Sequence, residues 1–192
     1  MPGSRNAFKD HVWITTYSDK RFNLFGDDPS EICIEDIGHA LSNQCRYTGH
    51  VTHFYSVAQH SVLVTSIVEW LGGNQGEQRQ ALFHDASEAY LSDMAAPFKA
   101  QVVGYHKLEA MIEKRIEEKY QLIGKCDIVK KADWLALFVE AENLINADSR
   151  DWVGWDEHGQ EAQELRIEII PQLPRDAKSA FFAKAFDLGF GI

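Results

Sequence analysis

Cysteine is scarce: only Cys33, Cys45 and Cys126 occur in 192 residues, far apart and with no C-x-x-C pair. That spacing supports neither a disulfide framework nor a zinc-finger motif, and it suits a reducing cytosol. No apolar run approaches the ~18 residues of a membrane span. The first six residues lead into no apolar signal segment. The expectation is a cytoplasmic protein without a membrane partner. Positive charge is also in deficit, with 19 Lys+Arg against 29 Asp+Glu and a net charge of −10. This balance is a poor match to a nucleic-acid polymer. A small anionic substrate stays open, because one basic pocket or a bound cation overrides the global sign. β-like patterning is confined to residues 12–25, ahead of the turn Gly26-Asp27-Asp28-Pro29.

Hydrophobic residues make up 45% of the chain and charged residues 25%, an ordinary globular balance for about one domain. From Ile34 onward the texture is helical. Ile37, Leu41 and Cys45 recur every four residues, which predicts a first helix with the Cys45 thiol on its buried stripe. Ser56 with Gln59 has the capping-box form and opens a helix to about Leu71, closed by Gly72-Gly73-Asn74. A third helix is expected from about Glu77 to Leu91. Further helical stretches cover 105–122 and 126–147, then segments near 160–170 and 175–188 divided by Pro171 and Pro174. Trp152 and Trp155, in an acidic loop, are expected to cap the core. The predicted fold is all-α, one helical bundle over residues 1–192 with a short irregular or hairpin N-terminal arm.

Four polar residues on these helices are flanked by apolar ones: His60, the adjacent His84 and Asp85, and Asp133. Singly, each has a plain structural reading, the histidines as hydrogen-bonded core residues and Asp133 as an ion-pair partner of Lys130 or Lys131. Together, two imidazoles and two carboxylates form a ligand set suited to a first-row divalent cation. Glu88, four residues after His84, would lie on the same helix face and could orient or deprotonate a water. Asp93 and Lys99 follow just past the predicted helix end, where loops commonly hold substrate.

The stretches Ser56-Val57-Ala58-Gln59-His60-Ser61, Phe83 through Tyr90, Asp93 through Lys99, and Lys131-Ala132-Asp133 resemble the HD-domain phosphohydrolases. Within that family the likeness is to bacterial 5′-deoxynucleotidases and virus-encoded dATP phosphohydrolases, over about residues 34–145. The resemblance implies an HD-type bundle in which His60, His84, Asp85 and Asp133 bind a divalent cation (Co, Mn, Zn, Fe or Mg). It implies that Glu88 and Asp93 are catalytic acids, with Asp93 also near the sugar. It implies that Arg46, Tyr47, Pro97 and Lys99 contact the substrate, with Tyr47, Gly49 and Pro97 bearing on base selection. The implied activity is hydrolysis of (deoxy)nucleotides to the nucleoside by a water activated at the cation, in a homo-oligomer. Two alternatives accompany it: a dNTP triphosphohydrolase that releases tripolyphosphate, and a non-catalytic nucleotide-binding module. His50 and His53 are left without a role, and His11, His39, His106 and His158 are expected to be structural or solvent-facing.

Overall fold

A computed structural model describes residues 12–191. Its first element is the hairpin expected of the N-terminal arm: Trp13–Thr15 (β1) pairs antiparallel with Arg21–Asn23 (β2), with Ile14 opposite Phe22. Helices follow at Ile34–Asn43 (α1), Val57–Trp70 (α2), Gln75–Leu82 (α3), Glu88–Leu91 (α4), Ala96–Lys99 (α5), Tyr105–Tyr120 (α6), Asp127–Leu144 (α7), Gln160–Glu164 (α8) and Pro174–Asp187 (α9). The all-α expectation therefore stands. No described helix is long and apolar enough to cross a membrane.

The fold is organised around α2, which packs against α1, α3, α7 and α9. Its two ends serve two apolar interiors. Val57 and Ala58 join Ile37 and Leu41 of α1, Ile112 and Ile116 of α6, and Phe181 of α9. About two and three turns further on, Val64, Ile67 and Val68 meet Val129, Leu135, Ala136 and Val139 of α7. Each such side chain stabilises the fold by roughly 1.5–3 kcal/mol through removal from water. Packing reaches beyond residues 34–145, because Phe22 and Ile32 on one side and Ala177, Phe181 and Ala185 on the other are fully buried.

Local chemistry sets the helix ends. The Ser56 hydroxyl caps α2 by accepting from the Gln59 backbone N–H at 3.1 Å. The expected capping box is only half present, since the Gln59 amide instead tethers the backbone of Ile170 and Gln172. A complete capping box lies at Asn74 and Glu77, so Asn74 opens α3 as well as following the end of α2. Pro174 starts α9, one residue ahead of the expected 175, as its preset φ and missing N–H allow at a first turn.

The expected helix over 77–91 is broken. It ends at Leu82, and Phe83–Ser87 forms tight turns before α4 begins. Cys45 also lies past the end of α1, half-buried and bridged to Ser56 rather than on a helical stripe. All three cysteines are free thiols.

Gly38 marks the closest approach of α1 to α9: a Cβ there would stand 2.6 Å from the Phe182 ring and 3.0 Å from that of Phe181. Gly38→Ala gains helix propensity of up to about 1 kcal/mol, yet overpacking costs about 1–3 kcal/mol. The expected net result is a melting temperature lower by a few degrees in calorimetry. An unchanged or higher value would mean that α9 gives way freely.

Candidate metal centre

His60 sits on the first full turn of α2 and is completely buried. His84 and Asp85 come from the turns after α3, and Asp133 from the second turn of α7. The break in the third helix is what lets His84 and Asp85 converge. On a continuous α-helix, successive side chains diverge by about 100°. Here the Ala86, Glu88 and Ala89 N–H groups bond to carbonyls three residues back, and both neighbours face the same point.

Nε2 of His60 lies 3.2 Å from Nε2 of His84 and 3.2 Å from Oδ1 of Asp133. Oδ2 of Asp85 lies 3.3 Å from Nε2 of His84 and 3.5 Å from that of His60. Nε2 of His84 lies 3.7 Å from Oδ1 of Asp133. Neighbouring donors on one ion with bonds of about 2.1 Å stand about 3.0 Å apart in octahedral and about 3.4 Å apart in tetrahedral geometry. The spacing of the His60, His84 and Asp133 donors fits one cation.

The hydrogen bonds behind the imidazoles make the fit sharper. Nδ1 of His84 faces the Ala81 carbonyl at 2.7 Å, which can only accept. Nδ1 of His60 faces Oε1 of Glu140 at 2.6 Å. Both rings are thus N–H donors at Nδ1, and both present Nε2 lone pairs to one another. A proton or a cation must lie between two such lone pairs. His60, His84 and Asp133 accordingly form a group that could hold a metal ion, with Asp85 in reach of both rings.

The electrostatics follow from this crowding. Burial opposes charge on His84, but Asp85 and Asp133 outweigh it and hold its pKa well above the usual histidine value. For Asp133 burial again works against charge, and hydrogen bonds from His60 and His84 hold the carboxyl well below its usual range. Glu88 goes the other way: burial, then the nearby charges of Asp85 and Asp93, push its carboxyl well up. Its Oε2 is buried without a hydrogen-bond partner.

A cavity of about 620 Å³ opens onto the cluster. Arg46, Tyr47, Asp85, Glu88, Asp93, Pro97, Lys99 and Asp133 all line it, so every site residue singled out in the sequence except His60 and His84 reaches this one space. Several are engaged with the protein. Lys99 Nζ bridges Glu88 at 3.2 Å and Glu109 at 2.7 Å. Arg46 Nε bonds Glu140 at 3.1 Å, and its Nη1 lies 3.5 Å from Asp85. The Tyr47 hydroxyl donates to Glu140 at 2.7 Å, so its ring rather than its oxygen faces the cavity. Tyr47 and Thr48 both adopt left-handed backbone, φ 56° and 55°, strain of about 1–3 kcal/mol per residue that the surrounding contacts must hold in place.

Sequence reasoning missed Glu140, fully buried on α7 two turns from Asp133 and so on the same face. Its one signal is that seven-residue offset. Burial works against its charge, but Arg46 and His60 keep the carboxyl below its ordinary pKa. The tryptophan loop divides its roles: Trp155 packs edge-on against Phe138, as expected of a core cap, whereas Trp152 lines the cavity 6.4 Å from the Tyr47 ring. Among the other histidines, His39 stacks on Tyr17 and His158 on Trp134. His50, His53 and His106 are exposed, and His11 lies outside the described residues.

No known protein-family profile matches the chain. It is 38% identical over 177 residues to the uncharacterized protein YfdR of Escherichia coli (strain K12), covering 92% of this chain and 95% of that protein. It is 33% identical over 143 residues to the uncharacterized protein RCAP_rcc00048 of Rhodobacter capsulatus, covering 69% of this chain and 73% of that protein.

Because His84 must give up its extra proton before Nε2 can bind a cation, metal affinity should rise with pH. Titration of chelator-treated protein with Mn²⁺ or Co²⁺ at pH 6 and pH 8 is expected to show tighter binding at pH 8. Asp133→Ala should lose at least tenfold in affinity at both. Equal affinity in the variant and the parent would remove Asp133 from the site.

Proposed function

Since the chain belongs to the same family as the uncharacterized protein YfdR of Escherichia coli, we propose from the site itself that it is a metal-dependent phosphohydrolase of HD type acting on (deoxy)nucleotides. The observation that carries this reading is the pair of imidazoles with both Nδ1–H groups turned away. It leaves two lone pairs and the Asp133 carboxylate converging, with Asp85 within 3.5 Å of both rings, at the edge of a cavity also lined by Arg46, Lys99 and the buried Glu88. The resemblance described above supplies the substrate class.

His60, His84, Asp85 and Asp133 would hold the divalent cation. When bound, it supplies Lewis-acid polarisation of a phosphoryl oxygen and lowers the pKa of a water. Arg46 and Lys99 both line the cavity and would hold the other phosphoryl oxygens. Arg46 does so with the guanidinium N–H groups not committed to Glu140, and Lys99 as a point charge. Glu88, whose Oε2 has no protein partner, exchanges a proton with the attacking water or the leaving ester oxygen. Asp93, anchored through its backbone N–H to Gln44 at 2.9 Å, faces the sugar. The rings of Tyr47 and Trp152 offer the base an apolar, stackable wall.

A phosphate-release assay over a panel of deoxynucleoside mono- and triphosphates, with chromatography of the products, tests this directly. Turnover should require added divalent cation and fall by at least 10³-fold in Asp85→Ala. Glu88→Gln should retain cation binding but lose about 10²–10⁴-fold in kcat, the usual contribution of acid–base catalysis. Orthophosphate from monophosphates marks a 5′-nucleotidase, whereas tripolyphosphate from triphosphates alone marks the triphosphohydrolase form. Cation and nucleotide binding with no turnover on any member would move the assignment to a non-catalytic nucleotide-binding module.

A further inference from the structure

We infer that Glu140 is a positioning residue that ties the metal centre to the substrate pocket, an inference that rests on the metal-binding reading above. Its side chain is inaccessible to solvent and its two oxygens face different partners. Oε1 accepts from His60 Nδ1 at 2.6 Å. Oε2 accepts from the Tyr47 hydroxyl at 2.7 Å and from Arg46 Nε at 3.1 Å. The first bond fixes His60 as the Nδ1–H tautomer and leaves the Nε2 lone pair facing the cluster. The second pair fixes the depth of Arg46 and holds Tyr47 in its left-handed backbone conformation.

Only a carboxylate meets both demands, because all three partners are donors. An amide accepts on one atom and donates on the other. With its oxygen toward His60, its NH₂ meets Arg46 Nε and the Tyr47 hydroxyl, and Arg46 Nε loses its acceptor. Turned over, its NH₂ meets His60 Nδ1, which must then become an acceptor and move its proton to Nε2. In either orientation one side of the site loses its alignment, although the volume and packing of the side chain are unchanged. Glu140 also shares α7 with Asp133, so one helix carries a cluster residue and the group that orients a second one.

Three proteins test the inference: the parent chain, Glu140→Gln and Tyr47→Phe, each metal-free at the start. Co²⁺ is titrated in by calorimetry well below the melting temperature, with the visible Co²⁺ spectrum recorded alongside. Glu140→Gln should bind Co²⁺ about 10–100-fold more weakly, the usual effect of losing an outer partner of a ligating histidine, with an altered ligand-field spectrum. Tyr47→Phe removes one bond to Oε2 and leaves His60 untouched, so its Co²⁺ affinity should stay within about threefold of the parent. In the nucleotide assay its KM should rise more than its kcat falls. A Glu140→Gln protein that binds Co²⁺ as the parent does, with the same spectrum, and also keeps the parent's nucleotide KM would make Glu140 a purely structural residue and overturn the inference alone. Parent-like Co²⁺ binding with a raised KM marks the amide orientation that keeps the His60 bond and supports the inference. A parent chain that takes up no Co²⁺ would overturn the metal reading, and this inference with it.

Discussion

The interaction on which the site depends is the contact of a fully buried imidazole with polar partners on both sides. His60 donates from Nδ1 to Glu140 and turns Nε2 toward His84, Asp85 and Asp133. A histidine with no solvent contact has nowhere else to place its two nitrogens, so its ring orientation follows from its neighbours. Placing those neighbours requires α2 at the centre, α7 along one side and the end of α3 across it, which is the arrangement that the two apolar interiors build.

Stability and site chemistry pull in opposite directions here. Apolar packing brings α2, α3 and α7 close together, and the same closeness confines several ionisable groups in a small volume. Uncompensated, each buried charge would cost several kcal/mol. The structure compensates by pairing: Arg46 with Glu140 and Asp85, Lys99 with Glu88 and Glu109, and the histidines with the aspartates. A divalent cation and a proton would therefore compete for the same lone pairs.

Much of this was legible in the sequence. His60, His84, Asp85 and Asp133 stood out because they are polar residues set among apolar neighbours, a pattern that burial readily produces. The hairpin was legible from the β-rich residues 12–25, although its turn falls at residues 16–20 and not at 26–29, where Asp28 caps a short 3-10 helix. The break after Leu82 was not, because the stretch from Ala81 to Ala89 contains neither proline nor glycine. Tertiary demand overrides helix propensity there, and His84 itself takes up the carbonyl of Ala81 at the helix end. Glu140 escaped notice because an acid in Val139-Glu140-Ala141-Glu142 looks like part of a solvated face. Both its apolar neighbours are in fact buried, and Glu140 with them, since α7 is enclosed on more than one side. The division of labour between Trp152 and Trp155 depends on how the loop folds at Gly154, whose positive φ of 87° seats it against the Trp134 ring.

The position of Asp133 and Glu140 on one uninterrupted helix constrains how this chain can vary in length. Seven residues span nearly two full turns, so the two acids share a face only in that frame. Adding or removing one residue between them would swing one acid about 100° away from the other. The same change in the loop after Leu144 would leave both in place, because that segment joins helices without setting their phase. The interval from 133 to 140 thus acts as a fixed ruler, and only the connecting loops can change length without turning one acid away from the other.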